Sequence, residues 1–417
     1  MKKSSFKRLL SLILAIIMLI SALAVFGACK KDIPENQKSP ADRIKDKETA
    51  PTFLFSYSDV EITGGDRFRI VPKFSEGAGI TYDKIQYTVA EGEDIVSIDG
   101  YYVTGKKGGT ATILAEYIYD WSVYSTFTVK VDMKGDLYKI SDYVYASQKG
   151  GMYSKAFSLT LEPSSENYTI YYTLDCSVPT NKSKKYTEPF NISDKTNTST
   201  YPLTKSVLGE PIDGAGHGKS SSGAYRNNIE RTGNYPKVGC GMVITYSVYD
   251  GNKLLETSSV TYIVKKNAED YFTIPVICLS MPYDDWFDNE EGIYNICYHD
   301  LKARAYMEYY DLTTGESFKI NTSVKVGGGY SRGYPKKTLN LNFKKDENGN
   351  KNAPTDVAIF GEATMDGDQG SLLSAICRLR LHNSGNTYES GNMFGDAFFQ
   401  RLVEGTNCST AAYRPCL

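Results

Sequence analysis

Along most of this chain apolar residues recur at every second position, the period of a half-buried β-strand. The clearest case flanks the stretch Val324-Lys-Val-Gly-Gly-Gly-Tyr-Ser-Arg-Gly-Tyr-Pro-Lys-Lys337, with Val324 and Val326 on one side and Leu339, Leu341 and Phe343 on the other. Two strands joined by a glycine-rich link are predicted. Upstream, the alternation predicts a strand over Ala303 to Asp311, a turn at Thr314-Gly315 and an antiparallel partner over Phe318 to Val326. The continuous apolar run that begins at Tyr271 and ends at Ser280 reads as a buried strand, and Met281 to Gly292 as a short helix or loop. Met393 to Val403 is the one convincing amphipathic helix, with Phe394, Ala397, Phe398 and Leu402 on a stripe and Asn392 as candidate N-cap.

The same period organises the earlier part of the chain into two all-β regions. Between 51 and 133, short strands over Ile70 to Pro72, Tyr82 to Val89, Ile95 to Ile98, Tyr101 to Val103 and Ala111 to Glu116 are punctuated by glycine-rich turns. Between 134 and 265, strands around Tyr168 to Leu174 and Met242 to Tyr249 flank an insertion, Lys205 to Lys237, rich in Gly, Ser and Asn. Ahead of both lies Met1 to Cys29, with a basic start, an apolar run from Leu9 to Phe26, and Gly27-Ala28 before Cys29. This reads as an export signal whose small-small-Cys end suits lipidation of the Cys29 thiol; ordinary cleavage and a retained membrane helix are the alternatives. Residues 30–50, charged and with Pro34 and Pro40, are expected to be a disordered tether.

Composition narrows the chemistry. A net charge of -2 gives no basic field, so nucleic acid is not an expected partner. Eight cysteines without a C-x-x-C and three histidines signal neither a zinc site nor a complete disulfide framework, and no metal site is assigned. The acidic positions Asp284, Asp285, Asp288, Glu290 and Glu291, and Asp366 with Asp368, read more cheaply as solvated loops than as cation sites. Gly214 to Ser220 looks like a Walker A loop but has Asp213 where its first Gly belongs and follows no apolar strand. In the glycine-rich link, the absent Cβ atoms let a ligand approach backbone N–H groups, and Ser331, Arg332, Lys336 and Lys337 add a donor and three cations. That set suits a phosphate. A bulged hairpin with a solvated basic rim is the plainer reading.

Three blocks carry a resemblance. Gly328, Ser331, Arg332, Gly333, Pro335, Lys336 and Lys337 match the signature of the CotH spore-coat family of atypical secreted kinases, with Gly327 standing where that family has Arg. Leu379-Arg-Leu-His-Asn-Ser-Gly-Asn386 with Met393 to Ala397 resembles its second block, Gly395 again replacing Arg, and Ala412 to Pro415 resembles its third. The resemblance covers about Phe272 to Leu417. It implies ATP and Mg²⁺ as cofactors, a surface or secreted protein as substrate, and Ser331, Arg332, Lys336 and Lys337 at the nucleotide. The metal-holding and catalytic aspartates are expected beyond Leu417, so no catalytic residue is assigned and the domain is expected to be incomplete.

Ile95 to Ile113 resembles the closing half of bacterial Ig-like group 2 domains, and Tyr168 to Phe190 the Ig-like domain at the C-terminus of chitobiases. In the latter, Asp175 and Ser177 would close a side-chain turn, and Cys176 replaces the usual Gly. The expected fold is therefore multidomain: two all-β Ig-like sandwiches (51–133 and 134–265) followed by an incomplete α+β atypical kinase-like domain (266–417). Function is expected to be that of a lipid-anchored protein on the extracytoplasmic face of a bacterial membrane, an ATP-dependent phosphotransferase when complete. The alternative is a non-catalytic surface adhesin or scaffold associated with cell-wall glycan.

Lipidation is directly measurable: labelled palmitate should enter the expressed protein through Cys29, and a Cys29→Ala variant should take up none.

Overall fold

The computed structural model describes residues 38–46, 55–194 and 241–343 apart from short gaps at 57–58, 71, 75–79, 81, 289, 295, 330–331 and 333–336, together with 359, 378–382, 402 and 416. Cys29, the 205–237 insertion and all but one residue of the helix expected at 393–403 lie outside that set. Within the N-terminal unit, Met1–Pro51, the stretch expected to be a disordered tether contains a helix, α1 (Pro40–Asp46). Its start has local causes. The Asp42 N–H donates to Ser39 Oγ at 3.2 Å and Ser39 Oγ donates to Asp42 Oδ2 at 2.7 Å, while Pro40 fills the first helical position, where no N–H is needed.

Thr52–Leu417 is the second unit, and its described residues are mostly β-sheet. The first sandwich uses β1 (Phe55–Ser56), β2 (Val60–Thr63), β3 (Arg67–Arg69), β4 (Lys73–Phe74), β5 (Ile85–Glu91), β6 (Val96–Asp99), β7 (Tyr102–Gly105), β8 (Gly109–Tyr117) and β9 (Asp120–Lys134). Alternate residues Ala111, Ile113 and Ala115 of β8 and Phe127, Val129 and Val131 of β9 face the small sheet β3-β7-β6, whose Val96 and Val103 complete the core. Burying each of the Val, Ile and Phe side chains contributes about 1.5–3 kcal/mol.

The second β region adds β10 (Leu137–Lys139), β11 (Val144–Ala146), β12 (Gly151–Tyr153), β13 (Phe157–Leu159), β14 (Leu161–Pro163), β15 (Tyr168–Thr173), β16 (Lys184–Lys185), β17 (Phe190–Ile192), β18 (Met242–Asp250) and β19 (Lys253–Val264). One hydrogen-bonded sheet runs through both regions, in the order β14-β11-β10-β9-β8-β5 with β2 also on β9. The join is a tight hairpin between β9 and β10, in which Gly135 takes the left-handed φ of 60° that the turn needs. The sheet thus continues across the boundary expected at 133/134. Opposite it, the order β12-β19-β18-β15-β16 supplies Ile170, Ile244, Tyr246, Val260 and Tyr262 to the second core. The expected turn after β15 is present: Asp175 Oδ1 accepts from Ser177 N–H at 3.1 Å and from Ser177 Oγ at 2.6 Å, bonds that lower the Asp175 pKa. Cys176 sits there at φ 64°, the left-handed conformation that favours Gly.

The last β region holds two short helices, α2 (Ala268–Tyr271) and α3 (Tyr283–Phe287), and a wholly antiparallel sheet, β20 (Val276–Ser280), β21 (Ala303–Tyr310), β22 (Ser317–Gly327), β23 (Thr338–Asn342) and β24 (Arg378–Leu381), paired in chain order. Both faces of β21 are covered. Ala303, Ala305, Met307 and Tyr309 enter the local core with Val324, Leu341 and Phe343. Tyr306, Glu308 and Tyr310 face the second region instead: Tyr306 Oη donates to the Thr257 carbonyl at 2.9 Å, and Glu308 Oε1 accepts from Thr261 N–H at 3.2 Å and Tyr310 Oη at 2.7 Å. The first region joins this contact through ion pairing of Lys149 with Asp66 and donation from Arg67 to the Thr314 carbonyl.

This joint is close-fitting at Gly150, where an added Cβ would collide with Tyr310 Oη and stand 2.8 Å from Val260 Cγ2. Gly150→Ala should therefore destabilise the protein by about 1–3 kcal/mol, read as a lowered urea midpoint. Among the described residues, Cys176, Cys278 and Cys297 carry free thiols. Burial pushes Cys176 up to about 11 and Cys278 higher still. Because the thiolate is the nucleophile, alkylation of Cys176 should accelerate about tenfold per pH unit from pH 8 toward 11, whereas an unperturbed thiol would level off near pH 8.5.

Candidate functional site

The glycine-rich link leaves β22 at Gly327, which pairs with Thr338 at the start of β23, so the two strands predicted on either side of it are antiparallel neighbours. Gly328 has φ 102°, a backbone state in which a side chain would be strained. Gly327 is not in that region, yet a Cβ there would run into the amide of Asn340, whose Cγ lies 3.0 Å away. The space that an arginine would need at 327 is held by Asn340.

Of the four residues expected at a phosphate, Ser331 and Lys336 lie outside the described set, and Arg332 and Lys337 lie within it. The Arg332 side chain is 17% exposed and folds back on its own link: Nε donates to the Gly328 carbonyl at 2.7 Å, and Nη1 reaches Asp300 Oδ1 and the Tyr298 carbonyl at 3.3 Å. Lys337, 9% exposed, donates from Nζ to the Arg332 carbonyl at 2.5 Å and stands 4.6 Å from the centroid of the Tyr294 ring. A buried ammonium needs such partners, because an unpaired one would forfeit its hydration. Both cations brace the link from the side facing the 293–300 loop.

The sheet beside the link carries two further cations, Lys325, which no motif block contains, and Arg380, which belongs to the second block. Cross-strand registers place Lys325 of β22, Asn340 of β23 and Arg380 of β24 in one row, and side chains directly opposite one another share a face. Arg380 Nε donates to Asn340 Oδ1 at 3.0 Å, and Lys325 Nζ pairs with Asp300 at 2.9 Å. The hydrogen bond from Lys325, then its charge, then Arg332 hold the Asp300 carboxyl below its usual range. Arg380 is exposed. Alternation carried a signal for this row: Lys325 interrupts Val324 and Val326, and Arg380 interrupts Leu379 and Leu381, so both belong to the polar face once the register is known.

Of the row's two cations, Lys325 is paired with Asp300 and Arg380 is exposed. For Mg²⁺, no group of three or more His, Cys, Asp or Glu side chains gathers among the described residues, and Asp288 in the acidic loop uses Oδ1 to accept the N–H groups of Glu290 and Glu291 at 2.7 and 2.9 Å.

No curated protein matches this sequence. Among solved structures, domains 4 and 5 of the S-layer protein SbsC align at 14% identity and TM-score 0.17, over 47% of this chain and 80% of that one. The protocadherin gamma B7 extracellular cadherin domains 1–4 align at 12% identity and TM-score 0.17, over 51% and 49%. The human desmocollin-1 ectodomain gives 6% identity and TM-score 0.17, over 71% and 67%. Scores at this level decide nothing about architecture or role. The family model for the chitobiase/beta-hexosaminidase C-terminal domain matches residues 148–206, a span that begins just before β12 and contains the Asp175 turn, so this segment is similar to that domain.

Proposed function

We propose that the chain is an exported protein, lipid-anchored through Cys29 on the extracytoplasmic face, whose last β region binds nucleotide phosphates as part of a CotH-type phosphotransferase acting on a surface or secreted protein. The observation that carries this reading is the pairing of β23 with β24. It brings two motif blocks some forty residues apart onto adjacent strands and sets Lys325 and Arg380 on one face beside the glycine link. In phosphoryl transfer the protein's part is mainly to position the nucleotide and offset its charge with cations and backbone N–H groups. Lys337 turns toward Tyr294. With Lys337 engaged by Tyr294 and the Arg332 carbonyl, we assign the phosphate contact to the other motif lysine, Lys336, which lies outside the described residues. ATP supplies the transferred group, and no step is assigned to Mg²⁺ or to a catalytic residue on this chain.

A second reading, a non-catalytic surface scaffold, is favoured by one observation: the donors of Arg332 and Lys337 are engaged within the chain. Titration with ATP separates the two. Lys336→Ala and Arg380→Ala should each weaken binding about ten- to a hundredfold, the loss of one charge-assisted contact of about 1.5–3 kcal/mol. Lys337→Ala should instead lower the unfolding midpoint, by about 1–2 kcal/mol, through the lost ring and carbonyl contacts. No ATP binding by the unsubstituted protein, or equal affinity in all three variants, would leave the scaffold reading in place.

A further inference from the structure

Between the first and second β regions stands a pair of side chains, Lys149 and Asp66, that the nucleotide reading does not use. Asp66 follows the turn between β2 and β3, in which Gly65 takes a left-handed φ of 76°. Its backbone is held on both sides: the Asp66 N–H donates to the Thr63 carbonyl at 2.9 Å, and the Asp66 carbonyl accepts the Gly105 N–H at 3.2 Å. Lys149 precedes Gly150, the position that admits no Cβ, and its carbonyl accepts Tyr153 Oη at 2.5 Å. The lysine stem lies over Gly65, where an added Cβ would stand 3.4 Å from Lys149 Cδ. Two fixed backbones therefore aim these side chains at each other.

The two oxygens of Asp66 have different partners. Oδ1 is in contact with Lys149 Nζ, while Oδ2 accepts the Thr63 N–H at 3.2 Å. That donor polarises the carboxyl group and stands where negative charge gathers when a nucleophile adds to Cγ. The pair is also withdrawn from water: its side chains are 21% and 32% exposed, against 66% for both members of the Lys107–Asp94 pair. Burial pulls the Lys149 ammonium down to about 8, which brings the neutral, nucleophilic amine within reach near neutral pH. Two charges taken out of water carry a desolvation cost that a neutral group in the same place avoids.

We propose that Lys149 and Asp66 condense into an amide, a covalent cross-link between the first and second β regions that the folded chain makes by itself. Within the ion pair one proton passes from Nζ to Oδ1, leaving an amine beside a carboxylic acid. The nitrogen lone pair then forms a bond to Cγ, and charge gathers on Oδ2 under the Thr63 N–H. The Cγ–Oδ1 bond breaks as Oδ1 takes a second proton from the nitrogen and leaves as water; Oδ2 remains as the amide carbonyl oxygen. No oxidant or further reactant is consumed. A cavity of about 290 Å³, with both Asp66 and Lys149 in its wall, receives the water. Condensation of a free amine with a free carboxylate is unfavourable in water, but groups held in contact behave as if at about 10⁵–10⁸ M. The cross-link is independent of the nucleotide reading, since it uses none of that site's residues.

Mass spectrometry of the whole purified protein, intact and after proteolysis, provides the test. The unsubstituted protein should be lighter than its sequence by one water, and the peptides that contain Asp66 and Lys149 should be recovered as a single branched species. Lys149→Arg keeps the charge and the ion pair but offers no amine, so it should show the full sequence mass and two separate peptides. Asp66→Ala, which removes the carboxyl group, should do the same. On a denaturing gel both variants should run more slowly than the unsubstituted protein, whose cross-linked loop cannot extend. Full mass and separate peptides from the folded, unsubstituted protein overturn the proposal and leave an ordinary ion pair. Water loss that persists in Lys149→Arg overturns it too, since it would mark dehydration elsewhere, such as a succinimide, which yields no branched peptide. If Asp66→Ala does not fold, Lys149→Arg decides. A failed ATP titration has no bearing on any of these outcomes.

Discussion

A carboxylate cannot be buried without donors, and the position of the last β region follows from how Glu308 meets that requirement. Its Oε1 takes the Thr261 N–H from the neighbouring region and the Tyr310 hydroxyl from its own strand. Removing a charge from water is expensive enough that the pairing must be kept once formed. Around it, Gly150 has to lack a side chain, Lys319 has to spread its charge over three oxygens, and Tyr306 finds the Thr257 carbonyl. A polar node of this kind fixes orientation in a way that apolar contact, being non-directional, cannot.

What the sequence made legible was local. Strict alternation in Ala303 to Asp311 and Phe318 to Val326 identifies β21 and β22 because each strand has a core face that admits only apolar residues, even though the opposite face is covered as well. The Asp175 turn is legible because an Asx turn needs only residues two apart. The continuity of β9 into β10 is not, since alternation resumes after any Gly-Asp turn whether the next strand joins the same sheet or starts another. The helix at Pro40–Asp46 was hidden by composition: a charged, proline-bearing stretch reads as a tether unless Ser39-Pro40 is taken as a helix start.

The candidate site divides in the same way. The glycine link and its cations stand out as residue types, but the partners that engage them, Asp300 and Tyr294, come from a loop some thirty to forty residues away that has no period to place it. Lys325 was overlooked, and Arg380 was seen only as part of the second block, because each is an ordinary polar residue of a strand until registers bring them into one row. Both omissions come from tertiary contacts that no local window spans. They matter for function, since a lysine braced against an aromatic ring and one paired with a carboxylate are the same letter in the sequence.

Two pairings have a mechanical meaning. In the first sandwich β2 lies parallel to β9, Val60 beside Val129 through Thr63 beside Asp132; in the second, β12 lies parallel to β19, Gly151 beside Tyr262 through Tyr153 beside Val264. Each time a strand near the start of the region is bonded to the strand that ends it, and both run the same way. A pull along the chain draws such strands past each other, so the cross-strand bonds are loaded together, whereas a hairpin peeled from its open end gives them up one by one. Under such a pull, these two short ladders are where tension would be borne before either β region could lengthen.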